Sequence, residues 1–247
     1  TKDAQVELYH DNSKKFETTS SGATVTGNAT VSGEVLTSTI NTASSTGTLT
    51  LFGGATNKGG TIELSGGNNT GSTGSGIVFK TGASTSSPSE KMRINQNGIV
   101  TKPNQPAFSV NKGGTNQNNL DTTTGVTVTF NTERFDNNSD FDLSNNNFVA
   151  PVTGKYLLSA TLRVEAVDTA SDFVILKMVT SNKTYSHIYD PDVFDQDAVY
   201  YAQTITILAD MDASDTAEVQ MRISGGTQQT DVEGNAEYSY FTGYLVC

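Results

Sequence analysis

Few residues in this chain are equipped for chemistry, and most of those are carboxylates. His10 and His187 stand far apart, and one cysteine, Cys247, closes the sequence. That leaves no disulfide framework and no thiolate zinc site. His187 lies in the alternating run Tyr185-Ser-His-Ile-Tyr189 ahead of Asp190 and Asp192. No nucleophile or oxyanion donor accompanies it, so it reads as a strand residue. His10, in Tyr-His-Asp-Asn, reads as a turn residue. Three acidic clusters remain: Asp136/Asp140/Asp142, Asp190/Asp192/Asp195/Asp197 and Asp210/Asp212/Asp215. Calcium favours several carboxylate and carbonyl oxygens. None of the clusters has the helix-loop-helix calcium spacing, and the loop Asp190, Asp192, Asp195, Asp197 is the calcium candidate. Paired carboxylates also hydrolyse glycans, but the long aromatic groove of such enzymes has no counterpart in a chain without Trp. Tyr189, Tyr200 and Tyr201 are either sugar-stacking residues or core. The Asn-x-Ser/Thr triplets at Asn28, Asn68, Asn137 and Asn182 are expected by chance in so Asn- and Thr-rich a sequence.

The elements that hold these residues differ along the chain. Over 247 residues only 34% are hydrophobic and 17% charged, below the usual proportions of about 45–50% and 25%. Residues 1–102 carry 8 Lys+Arg against 7 Asp+Glu; residues 103–247 carry 7 against 19. Aromatics divide the same way, with Tyr9, Phe16, Phe52 and Phe79 in the first part and 16 in the second. Two of the five prolines fall in the junction Lys102-Pro-Asn-Gln-Pro106, as an extended linker requires. The division is therefore 1–102 and 103–247. An acidic second part excludes phosphate-backbone binding, so no nucleic acid is expected. It equally disfavours anionic membrane surfaces, and no apolar run is long enough for membrane insertion. The chain starts at Thr1 without Met or leader, as a piece of a longer protein would.

The first part is patterned. Residues 22–39 fall into hexads, GATVTG, NATVSG and EVLTST, with β-branched residues alternating and Gly closing the first two. These are short strands that turn at glycine. Four stretches follow with apolar residues two apart: Leu49/Leu51, Ile62/Leu64, Ile77/Phe79 and Met92/Ile94. Each strand offers two apolar side chains, worth roughly 1.5–3 kcal/mol apiece if fully buried. Ordering each residue costs about 1–2 kcal/mol of backbone entropy. One copy does not stabilise itself, whereas three copies around a common axis pool their inward residues. The expectation is a homotrimeric fibrous β-shaft.

From Pro106 the strands are longer and richer. Candidates span 107–110, 125–131, 147–151, 155–165, 172–180, 183–189, 198–208, 216–224 and 237–246. With no helical period and no helix-length gaps, this is an all-β sandwich of the jelly-roll kind.

Particular residues here resemble a known family. Phe130-Asn-Thr-Glu-Arg-Phe-Asp leads into Asn147-Phe-Val-Ala-Pro-Val-Thr-Gly-Lys-Tyr156, which resembles the corner of C1q-like domains at Phe148, Pro151, Gly154 and Tyr156. The closing Tyr240-Phe-Thr-Gly-Tyr-Leu-Val is similar to the family's last strand, at Phe241, Gly243 and Tyr244; Pro106-Ala-Phe-Ser-Val resembles its first. The resemblance implies a ten-strand jelly roll in a compact homotrimer, a family in which calcium can sit near the axis. In the first part, Ser89-Glu-Lys-Met-Arg-Ile-Asn-Gln-Asn-Gly-Ile99 resembles a motif at the end of bacteriophage tail-fibre shafts. Together these imply a non-enzymatic virion protein without a required cofactor, the distal part of a phage fibre. Its head would attach to a host cell-surface glycan or outer-membrane receptor, and its shaft would join other virion proteins through a part preceding Thr1. The alternatives are a capsid fibre or decoration protein, a secreted C1q-like lectin and a glycan depolymerase.

Overall fold

The structure is a computed structural model, and it describes residues 5–29, 76–82, 89–120, 124–227 and 230–247. Hexads beyond Ala29 and the pairs Leu49/Leu51 and Ile62/Leu64 lie outside the described residues. The chain falls into two compact units, Thr1–Glu63 and Leu64–Cys247.

The first unit holds a three-stranded antiparallel sheet, β1 (Glu7–His10), β2 (Ser13–Thr19) and β3 (Gly22–Val25). Asp11 and Asn12 both take positive φ, 50° and 58°, in the two-residue turn between β1 and β2. Short polar side chains tolerate that conformation. The first hexad supplies β3, as its alternation predicts. Leu8 pairs with Phe16 and Phe16 with Val25, so one face carries the apolar row. A bulge at Lys15 shifts the register and puts Lys14 and Glu17 on the opposite face together. There Lys14 Nζ bonds both Glu7 and Glu17.

The second unit begins with another small antiparallel sheet, β4 (Ile77–Thr81), β5 (Ser89–Ile94) and β6 (Val100–Thr101). Two of the apolar pairs found in the sequence face each other across it: Ile77 opposes Ile94, and Phe79 opposes Met92. A bulge at Lys91 repeats the device of the first sheet. Glu90 and Arg93 would lie on opposite faces of a regular strand, but the extra residue brings them to one side. They form a two-pronged ion pair, Nε to Oε1 at 2.9 Å and Nη2 to Oε2 at 2.6 Å.

The rest of this unit is a two-sheet sandwich. Its strands are β7 (Ala107–Asn111), β8 (Val126–Thr127), β9 (Thr132–Asp136), β10 (Phe141–Asp142), β11 (Asn147–Val149), β12 (Gly154–Val167) and β13 (Ser171–Thr180), followed by β14 (Thr184–Tyr189), β15 (Ala198–Met211), β16 (Thr216–Gly225), β17 (Asp231–Val232) and β18 (Tyr240–Leu245). One sheet runs β15-β12-β18-β7-β9 with β17 beside β12; the other runs β10-β11-β16-β13-β14 with β8 beside β16. All described pairings are antiparallel.

The expected strands are present with one instructive departure. Residues 125–131 do not form one strand. Val126–Thr127 pairs with β16, and Val128 N donates to Val219 O; the chain then crosses to the other sheet, where Asn131 N donates to Asn111 O. The run after it is β9 and pairs with β7. The alternation of 125–131 persists through the crossing because Val128 and Phe130 both point into the core.

Five phenylalanines centre that core. Phe108 stacks on Phe148 with ring centroids 4.9 Å apart and meets Phe241 edge-on at 4.9 Å, while Phe141 and Phe130 complete the group. Such pairs add about 0.5–1.5 kcal/mol each beyond their burial. Gly243 is the small residue that admits them: a Cβ there would lie 2.7 Å from Phe108 Cε1 and 2.6 Å from Leu158 Cδ2. Gly243→Ala is expected to destabilise the sandwich by about 1–3 kcal/mol through overpacking, seen as a lowered denaturation midpoint with an unchanged slope.

Candidate functional site

The corner residues form a connected structure. β11 delivers Phe148 inward; the turn at Pro151–Thr153 reverses the chain; Gly154 then opens β12. Tyr156 is buried, its ring 5.3 Å from that of Phe148, and its hydroxyl donates to Val152 O at 2.7 Å. Burial pushes the Tyr156 phenol up, so the hydroxyl keeps the proton it donates. A Cβ at Gly154 would lie 2.6 Å from both Cys247 O and Leu245 Cδ1, so the chain's last residues pack directly over it. Lys155 N donates to Cys247 O at 2.7 Å and ties that end down. Pro151 is exposed, and its contribution is the turn. Phe241 is core, while Tyr244 is 48% exposed on the outer face.

That outer face belongs to the sheet β15-β12-β18-β7-β9. Registers place Leu208, Leu157 and Tyr244 in one row, Thr206, Ser159 and Thr242 in the next, and Thr204, Thr161 and Tyr240 in a third. Facing hydroxyls satisfy one another laterally: Ser159 with Thr206 at 2.7 Å, Thr161 with Thr204 at 2.9 Å. The three rows carry no charge. Ion pairs bound them, Lys155–Asp210 at one end and Arg163 with Glu165 and Glu233 at the other. These nine uncharged positions, with the Arg134 guanidinium 5.7 Å from the Tyr240 ring at their edge, form a patch that another protein face can cover at little desolvation cost.

The end marked by Arg163 is built from strands far apart in sequence. The guanidinium lies between the rings of Tyr238 and Tyr200, 3.9 and 4.7 Å from their centroids. Close by, Ala166 takes a left-handed φ of 52°, and the β12–β15 ladder skips from Glu165/Tyr200 to Val167/Ala198. A cavity of about 470 Å³ opens there, with Glu165, Asp197 and Asp231 on its wall.

The acidic clusters are largely engaged with backbone. Asp136 accepts from the amides of Asp140 and Phe141, and Asp142 from those of Ser144 and Asn145. Asp215 accepts from Asp212 N and Asn182 Nδ2. In the calcium candidate, Asp190 caps a short 3-10 turn (Pro191–Val193) by accepting from Asp192 N, and Asp197 accepts from the amide and hydroxyl of Thr169. The structure does not draw Asp190, Asp192, Asp195 and Asp197 together; among the described residues no three His, Cys, Asp or Glu side chains are grouped to hold a metal. His187 Nδ1 lies 3.1 Å from Thr204 O and bridges the edge strands β14 and β15, and His10 lies beside Asp11 at an exposed turn. Tyr189, Tyr201 and Phe194 pack together half-buried against the core, whereas Tyr200 is exposed.

The sequence profile of the C1q domain matches residues 107–246. The chain belongs to the C1q domain family. Solved structures similar to it include the globular domain of zebrafish complement 1qA protein, at 19% identity, covering 58% of this chain and 98% of that one with a TM-score of 0.40. Murine APRIL is another, at pH 8.0 with 8% identity, coverage of 57% and 99% and a TM-score of 0.42, and at pH 5.0 with 9%, the same coverage and 0.40. No curated protein sequence matches significantly. C1q domains are usually non-catalytic, typically trimerise, and usually occur in extracellular or secreted proteins.

Two features of this C1q domain were not legible in its sequence. Arg163 and Tyr200 meet only through the packing of β12 and β15, and Tyr238 joins them from the turn before β18. Lys112, at a turn ahead of Gly113-Gly114, looks like a surface residue but is fully buried. Its Nζ donates to Thr129 O at 3.0 Å and Thr129 Oγ1 at 3.2 Å, and among the described residues no carboxylate pairs with it. It pins the crossing between β8 and β9. Burial pushes its pKa down to about 8. The folded state therefore binds fewer protons than the unfolded chain between about pH 8 and 10.5, so Lys112 makes stability rise with pH across that window. Compared with Lys112→Met, the native protein should gain up to about 3 kcal/mol between pH 7 and 10.5, measured by denaturant unfolding of both proteins at each pH.

Proposed function

We propose that the chain is the distal part of a bacteriophage fibre: a homotrimeric β-shaft over residues 1–102 carrying a C1q head over 103–247 that attaches to a host cell-surface receptor, most simply a glycan. The observation that carries this reading is the pairing of a C1q domain with two small sheets of one design. Each has three strands, one apolar row and one bulged lysine beside an ion pair on the polar face. The second contains the Glu90–Arg93 motif that resembles phage fibre shafts. A head of this family needs no covalent chemistry to attach. Three copies multiply weak single-site affinities.

The trimer reading also rests on the neutral face of β15-β12-β18-β7-β9. Its Leu157, Leu208 and Tyr244 are half-buried or exposed in one copy, and two further copies are the occupants whose geometry closes on itself. The usual extracellular or secreted setting of C1q-domain proteins supports a second reading, a secreted C1q-like lectin. A capsid fibre is the variant in which the same trimer projects from the head of the particle.

Electron microscopy of virions labelled with antibody to residues 105–247 separates these readings. Label at fibre tips is the expected result; label on capsids selects the variant, and label on cell-secreted material alone selects the lectin. Light scattering of the intact protein is expected to give three times the chain mass. Leu157→Glu with Leu208→Glu should reduce it to one chain mass while the β-rich circular dichroism is kept.

A further inference from the structure

The small sheet β4–β6 has a face that stays half-exposed among the described residues. Its row is Ile77, Phe79, Met92, Ile94 and Val100, assigned by the directly opposed pairs Ile77/Ile94, Phe79/Met92 and Ile94/Val100. Phe79 is 48% and Val100 50% exposed. The other face holds Val78, Lys80, Thr101 and the Glu90–Arg93 pair, and is suited to water. A few short strands with one half-covered apolar row are marginal in water, and a cover is required for independent stability.

The covalent chain holds this sheet close to the head. β6 ends at Thr101, and Gln105 is already fastened to the head: its Nε2 donates to Leu245 O at 2.8 Å, and its carbonyl accepts from Asn137 Nδ2 at 3.2 Å. Four residues span at most about 14 Å when extended, and the turn from Lys102 O to Gln105 N shortens this. The fastening point lies beside Tyr244 and Ala107, in the row of the neutral face that includes Leu157 and Leu208. Whatever brings that face of three heads together therefore brings three β4–β6 sheets to the same axis, within reach of one another.

We propose that β4–β6 is a self-association surface. Its apolar row packs against the same row of two other copies, closing a three-sided prism immediately before the head. The partner is two further copies of this chain, and the proposal rests on the trimer reading given above. The bulge at Lys91 fits this role. It turns Glu90 and Arg93 together onto the outward face, so neither charge is carried into the prism.

The test uses the full chain in a Cys247→Ser background. Packed sheets stand about 10 Å apart, too far for a disulfide, which needs Cα atoms within about 7 Å; a short bismaleimide is the suitable probe. Val100→Cys, on the apolar row, should be bridged between chains at high yield, while Thr101→Cys, on the other face, should stay largely unbridged. A second variant, Phe79→Glu with Met92→Glu, should leave the particle trimeric by light scattering but make residues 76–102 several-fold more sensitive to protease. The proposal is overturned if a trimeric particle bridges both cysteines equally, or neither, or if the double-glutamate variant resists protease as the parent does. A parent that scatters as a single chain overturns the trimer reading itself, and the prism with it.

Discussion

An antiparallel sheet with alternating apolar and polar residues has one face that must be covered, and within one copy this chain meets that requirement in the C1q domain but leaves it open in its small sheets. In the C1q domain two sheets cover each other, and Phe108, Phe130, Phe141, Phe148 and Phe241 fill the space between them. In the small sheets β1–β3 and β4–β6 there is no second layer within the sheet, and Leu8, Val25, Phe79 and Val100 stay largely exposed in one copy. Both small sheets contribute to the low hydrophobic fraction of the sequence, since each strand in them carries only one or two apolar residues on its row.

The neutral outer face of β15-β12-β18-β7-β9 follows the same logic one level up. In this acidic domain nine positions over three strands are Leu, Ser, Thr or Tyr, with ion pairs at the two ends. Hydroxyls that bond sideways within the sheet leave nothing unsatisfied when the face is covered. Elsewhere the aspartates do local work. Those at 136, 142, 190 and 197 accept backbone amides at turns, which is why clusters that look like ligand sets in the sequence are spread around separate turns in the fold.

Much of the sandwich was legible in residue order. The strands at 107–110, 155–165, 172–180 and 216–224 announced themselves by alternation, which depends on local backbone periodicity; the Phe148–Tyr156 corner was legible only through its resemblance to the C1q family. The exception at 125–131 shows the limit of that signal. Alternation persists while the backbone leaves one sheet and joins the other, since the same core lies beneath both. Lys112 shows another limit, for a lysine before two glycines carries no mark of burial. Its position is decided by Thr129, in the crossing between β8 and β9 that alternation alone does not reveal.

What the sequence determined by itself is which residues turn inward: that is a property of neighbours one and two apart, and it holds whatever the strands later pair with. Tertiary structure decided what meets across strands. The sandwich of Arg163 between Tyr200 and Tyr238 and the Asp168 carboxylate on Thr227 N depend on register, and register is set by long-range pairing. The two bulged lysines are the clearest case. Glu90 and Arg93, three apart, belong on opposite faces by simple alternation; only the unpaired Lys91, a consequence of how β4 and β5 align, puts them on one.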